Sequence, residues 1–255
     1  MSIRIVSWSR LLVEGAAVVL SILLAFWIDA AWEQRQEQEA DLTRLRALHS
    51  ELQAHKVLLA EATSAHRATV EYGYELIGLL TPEPTADEAA RITELLNGLL
   101  SYYRINAPFG SLQTATASGA IARMQNVKLA SALASWPTVI EDLVEEQISG
   151  GTILVLDFYA NLGRIVSLSD MYEQRFLNPT GRGTEEIISE VAIDKLPETF
   201  PLPDYSLLHN NIIFGNDLMG LMMMAQSSHG EAVIADQKLS ELMQQLQACL
   251  AERDC

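Results

Sequence analysis

Apolar side chains run almost unbroken from Leu11 to Trp32, interrupted only by Glu14 and Asp29. As a helix this stretch is roughly 33 Å long, enough to cross a hydrocarbon core of about 30 Å. Beyond Glu33 the pattern changes from apolar all round to a single stripe. Leu42, Leu45, Leu48, Leu52, Leu59 and Ala62 recur every three or four residues through a charged segment that holds no glycine before Gly73. Such spacing predicts an amphipathic helix of near-heptad period. Nothing separates it from the apolar run, so one helix is expected from near Arg10 to about Leu80. His66, Lys56 and Gly73 lie on or beside the stripe, which rules out a clean coiled coil. The helix is expected to begin as a stalk and then pack into a domain.

Pro82 and Pro84 end this element, and Thr85 with Glu88 makes a capping-box signature for the next. Its apolar face is Ile92, Leu95, Leu96, Leu99, Leu100 and Tyr103. A turn around Pro108 follows, then the small residues Ser111 to Gly119, suited to close helix packing or a tight turn at Gly119. Val127 to Ser135 reads as a short helix and Pro137 as the start of another. That second helix should reach about Leu177 through Val139, Leu143, Ile148, Ile153, Leu156, Phe158, Leu162, Ile165 and Leu168, kinked or split at Gly150-Gly151. Asn178 to Gly183 reads as a loop, and the segment to Pro203 is irregular. A last helix is expected from Tyr205 to Arg253, bent around Ser228-His229-Gly230. No internal repeat and no strand-like block occurs. The fold class is therefore all-α: an N-terminal transmembrane helix continuing into a long amphipathic helix, then a helical bundle. The implied organisation is a short N-terminus (1–10), an anchor (11–32), a stalk with the first bundle helix (33–84) and the bundle domain (85–255).

A secretory signal also starts with a basic flank and an apolar run. Here the run exits through Phe26-Trp27-Ile28-Asp29-Ala30-Ala31-Trp32, bulky and acidic, with no small-residue cleavage site. Trp8, Trp27 and Trp32 lie near the two ends, where indole rings favour the membrane interface. An uncleaved anchor is the expectation, with a helix lying in the interface as its competitor. Arg4 and Arg10 precede the run without an acid, while Arg35, Arg44 and Arg46 follow it among acids, so the basic counts of the two flanks nearly tie. The short N-terminal flank favours an N-terminus inside and a soluble region outside the cytoplasm. Ala17, Ser21 and Ala25 form a small-residue stripe suited to close helix approach, or are simply common residues of a span. Glu14 lies four residues after Arg10 and is a candidate for contact with a partner helix.

Composition narrows the function classes. The formal charge is −16 over 255 residues, which argues against nucleic-acid binding and against adhesion of the soluble region to anionic lipid. Hydrophobic residues make up 49%, ample for a packed core. Cys249 and Cys255 are compatible with a small terminal disulfide or with two thiols at a frayed end. His49, His55, His66, His209 and His229 include no pair at i,i+3 or i,i+4, so no helical metal site is expected. Thr180-Gly181-Arg182-Gly183 lacks the lysine of a phosphate loop and reads as a turn. Glu145, Glu146 and Asp157 fit a solvated helix face as well as a catalytic group. No cofactor motif is present, and a non-enzymatic protein is expected. Met219, Met222, Met223 and Met224 form a dense methionine patch, suited to core filling or to an adaptable partner surface.

The anchor resembles that of an uncharacterised bacterial family of single-span, membrane-anchored helical proteins, known as a domain of unknown function. The similarity lies in Leu12-Val13-Glu14-Gly15, the run through Leu24-Ala25 and the exit Trp32-Glu33-Gln34-Arg35. Ser118-Gly119, Ile121 and the short helix around Leu129 and Leu133 echo it further on. The resemblance implies an N-terminal span and an α-helical soluble region, and no activity. Two functions remain expectations: a membrane-anchored scaffold that docks a protein partner or a second copy, or an extracytoplasmic bundle that senses a small molecule and signals through a partner membrane protein.

Overall fold

The computed structural model describes residues 8–172 and 201–252, with side chains from Ala16 onward. Every regular element among them is helical. Helix α1, Trp8–Leu79, is unbroken over 72 residues, roughly 108 Å at 1.5 Å per residue. Its first part is long and apolar enough to cross a membrane and buries nothing against the rest of the chain. Val18, Val19, Leu20, Ile22, Leu23, Leu24, Phe26, Trp27 and Ile28 are each more than half exposed. In water every such side chain forgoes roughly 1.5–3 kcal/mol of burial. The first fully buried position of α1 is Leu45, roughly 20 Å beyond Trp32.

From there α1 is the spine of a four-rod bundle that runs up, down, up and down. The first descending rod is α2, Ala86–Leu99, followed by an extended connection and α3, Gly110–Ala117. The Thr85 hydroxyl accepts from the Glu88 N–H while the Thr85 N–H donates to the Glu88 carboxylate, so the expected capping box starts α2. Contacts with α1 descend in register: Arg91 on Glu75, Tyr103 on Glu61, Pro108 on His55 and Arg123 on Asp41. The N-terminus of α3 has no cap of its own. Glu51 of α1 supplies one, accepting from the Ser111 and Leu112 N–H groups at 2.7 and 3.1 Å, where a carboxylate also complements the helix dipole.

The second ascending rod is α4, Val127–Ile153, capped by the Asn126 side chain. Pro137 lies inside it, so the expected break between two helices does not exist. The proline gives up a single N–H, and Leu133, Trp136 and Ile140 on either side of it are buried, so packing holds the helix through the gap. Gly150-Gly151 does not break the rod either. Four residues later the helix widens into a π-turn, Leu154–Tyr159, then resumes as α5, Ala160–Ile165. Within the π-turn Leu154 and Phe158 are buried, whereas Leu156, expected on the apolar side, is 66% exposed. Ile148, also expected there, is 47% exposed because Gln147 and Gly150 hold the buried face before the turn begins. A short α6, Ser169–Tyr172, packs near α2. The loop expected at Asn178–Gly183 lies outside the described residues.

After a 3₁₀ turn, Tyr205–Leu208, the last rod descends as α7, Ile212–Glu252, continuous through Ser228-His229-Gly230 where a bend was expected. Two apolar cores result. The proximal one, nearer the apolar segment of α1, joins Leu45 to Ala62 of α1, α3, α4 up to Leu143 and α7 from Ala232. The distal one joins Leu76, α2, the π-turn and α7 from Phe214 to Met222.

Candidate functional site

The methionine patch divides on the helix. Met222 is buried in the distal core, close enough to α1 that a methyl on Gly73 would overlap its sulfur. Met224 is half-buried. Met219 and Met223 are 48% and 68% exposed and share a face with Ile212, itself 75% exposed. These positions fall at i, i+7 and i+11, a single stripe. Gly220, next to Met219, lies against Ile153, which places the end of α4 beside the stripe. Ile213, Val155, Leu156 and Tyr159 add further exposed apolar side chains at this end of the bundle.

The anchor residues stand apart from every other element. Ala17, Ser21 and Ala25 are exposed on one face, with the Ser21 hydroxyl folded back onto the Ala17 carbonyl at 2.8 Å. Trp32 is 63% exposed. The Glu14 side chain and Cys255 lie outside the described residues. Cys249 is disulfide-bonded and nearly buried in the proximal core. Glu145 and Asp157 are exposed and Glu146 is half-buried.

Between the two cores lies a buried polar layer that sequence spacing did not find. His66 has no exposed surface. The Ile105 N–H donates to Gln147 Oε1 at 2.8 Å, which fixes the amide, and Gln147 Nε2 then donates to His66 Nε2 at 3.1 Å. The ring proton of neutral His66 therefore sits on Nδ1, which finds no acceptor among the described residues. Leaving such a donor buried costs about 1–3 kcal/mol. The Tyr102 ring lies 5.0 Å from the His66 ring, and its hydroxyl meets Ser228 Oγ at 3.2 Å. His229 donates from Nδ1 to the Thr63 carbonyl at 3.0 Å, one turn of α1 below.

Burial, with the nearby charge of His229 second, pushes the His66 pKa down to about 4. Burial also raises Tyr102, and burial together with the Glu61 carboxylate lifts Tyr103 to about 12. Glu231 is raised as well, by burial and then by Glu146 and Asp142. The histidines of this layer come from α1 and α7, 163 positions apart in sequence, which is why a search for i,i+3 and i,i+4 pairs passed over them. The only early signal was a histidine on a leucine stripe.

Two open hollows flank α1. One, of about 530 Å³, lies just beyond the apolar segment of α1, between Gln34–Leu45 and Ala120–Gln125. The other, of about 950 Å³, runs past Val57, Ala60, Ser64 and Ala68 to Tyr72 and Tyr103. At the rim of the first, Arg123 holds Asp41 through Nε and Nη2 at 2.8 and 2.9 Å and Glu37 at 3.1 Å. These contacts tie the base of the bundle to the stalk. No group of acidic, histidine or cysteine side chains suited to a metal occurs among the described residues. No family model, curated protein or solved structure matches the chain.

Proposed function

We propose that the protein is a single-pass, membrane-anchored helical scaffold that docks a protein partner at the distal end of its bundle. The observation that carries this reading is the stripe Ile212, Met219 and Met223, exposed on one face of α7. It lies at the end of the bundle away from the anchor, where Leu76 of α1 and Phe214 to Met222 of α7 share one core. Large apolar side chains clustered on a soluble surface mark interaction sites, and methionine adapts to varied partners. Because α1 is unbroken from the apolar segment to Leu79, the docking end is held rigidly roughly 70 Å beyond Trp32. Arg4 and Arg10, with no acid before Glu14, are compatible with an N-terminus on the cytoplasmic side and the bundle outside. The resemblance of the anchor segment to the single-span bacterial family would place it in a bacterial inner membrane. Ala17, Ser21 and Ala25 offer a face for a second copy.

A photo-crosslinking residue placed at Met223 of the full chain in native membranes tests the reading. The expected result is an adduct of one discrete mass, lost on Met219→Asp and absent when the crosslinker replaces the exposed Gln245. Failure to form any adduct at Met223, or an equal yield at both positions, would sink it. The sensing alternative draws on the 950 Å³ hollow beside Tyr103. Saturable small-molecule binding there, lost on Tyr103→Phe, would favour it instead.

A further inference from the structure

The layer between the two cores is built for an uncharged histidine. Gln147 bridges two partners at once, accepting from the Ile105 N–H and donating to His66 Nε2. A second proton on His66 would arrive at Nε2, the nitrogen that now accepts. The amide would then have to turn its oxygen toward His66, and its NH₂ would face the Ile105 N–H, donor against donor. The Nδ1–H already lacks an acceptor, so protonation would leave two buried donors unsatisfied, Nδ1–H together with either Nε2–H or the Ile105 N–H, and no anion beside the cation.

We propose that His66 is a proton-sensitive lock, whose protonation breaks the Gln147 bridge and uncouples the distal half of the bundle from the membrane-proximal half. Every element packed on this histidine bears on the outcome. From its own helix come Glu61 and Thr63, and Glu61 is engaged by the Tyr103 hydroxyl at 2.9 Å. From the 101–109 connection come Tyr102 and Tyr103, whose rings lie 5.0 and 6.5 Å away. The α4 helix supplies Gln147, and also Glu146 and Asp142, whose charges act on Glu231, Glu146 acting on Tyr102 as well. From α7 come Ser228, His229 and Glu231. No carboxylate among the described residues is hydrogen-bonded to His66, and His229 adds positive charge. The downward shift of His66 follows from that environment. The lock concerns how the two halves hold together, so it stands whether or not the distal face docks a partner.

Hydrogen exchange of the full chain in detergent micelles tests it, with rates corrected for intrinsic pH dependence. Between about pH 7 and about pH 4.5, residues 101–109 and 143–150 should exchange roughly tenfold faster or more, with residues 129–140 little changed. The response should vanish in His66→Gln and persist in His49→Gln. In His229→Gln it should move to higher pH, because the opposing charge is gone. An identical acid response in His66→Gln, no response in the unmodified chain, or a response abolished by Glu231→Gln would overturn the proposal. Should His66→Gln fail to fold, histidine-resolved NMR of the unmodified chain decides. Titration of His66 in step with the exchange transition supports the lock, and an ordinary midpoint near 6.5 overturns it.

Discussion

His55 and His66 sit on the same face of α1, about three turns apart, and both are buried. In the proximal core, His55 is fully paired. Trp136 Nε1 donates to its Nδ1 at 2.9 Å, and its Nε2 donates to the Pro108 carbonyl at 2.6 Å. Phe109 meets the ring edge-on at 5.1 Å. Long helical segments of α1, α4 and α7 surround that core, and it tolerates a polar ring because both nitrogens are used. At the layer between the cores, His66 has one nitrogen paired and the other orphaned. The 101–109 connection runs past both rings, with Pro108 and Phe109 on His55 and Tyr102 and Tyr103 on His66, so the difference lies in the second ring nitrogen. One residue type on one helix face is thus a structural pin where its hydrogen bonds close and a charge-sensitive point where they do not.

The largest way to break this comparison is Trp136→Ala. The indole is 2% exposed, and its loss should cost about 3–5 kcal/mol, with His55 Nδ1 left without its donor. Guanidinium unfolding of the full chain in micelles, followed by far-UV circular dichroism, measures it. Trp136→Phe keeps most of the volume while removing the N–H and two ring carbons, so its cost should be smaller by at least half. Equal costs for the two would mean that the hydrogen bond, not the packing, secures the proximal core.

The next effect is one of pH, and it belongs to His66. Below about pH 6.5 the unfolded chain binds a proton on this histidine that the folded chain refuses until about pH 4. The stability that the neutral ring contributes is therefore present above that window and lost as pH falls through it, by about 3 kcal/mol when complete. Unfolding midpoints at a series of pH values, for the unmodified chain and His66→Gln, should diverge only across that window. Parallel curves would place the acid sensitivity elsewhere.

Much of the fold was readable because its signals are local. The capping box at Thr85 and Glu88, the leucine stripe from Leu42 to Ala62 and the tight turn at Gly119, with φ of +77°, each follow from residues within a few positions of one another. The misreadings came where tertiary packing overrides a local rule. Pro137 looks like a helix start, yet buried neighbours on both sides carry α4 through it. Ile148 and Leu156 fit a regular helical period, but Gln147, Gly150, Leu154 and Phe158 hold the buried face instead, and Ile148 is turned out before the π-turn begins. The methionine cluster was visible as a cluster, but only the position of α1 decides that Met222 turns inward while Met219 and Met223 face out. The buried histidine layer was hidden for the same reason: its members meet across three rods, and no spacing rule joins Ile105, Gln147, His66 and His229.

The smallest effects come from two adjacent glycines and should have opposite signs. Both lie inside α4, where alanine ordinarily gains about 0.5–1 kcal/mol over glycine. A methyl on Gly151 would meet open space, so Gly151→Ala should be stabilising by up to about that amount. A methyl on Gly150 would overlap the Tyr102 hydroxyl and ring. Tyr102 has little room to yield, since its hydroxyl is held by Ser228 and its ring faces His66. Overpacking of this kind costs about 1–3 kcal/mol, so Gly150→Ala should be net destabilising by about 1–2 kcal/mol after the helical gain. The same unfolding experiment reads both. If the layer between the cores is as tightly built as the proximal core, the two substitutions separate by about 2–3 kcal/mol. If Gly150→Ala proves neutral, Tyr102 moves freely, and the contrast between the two histidines rests on the unpaired nitrogen alone.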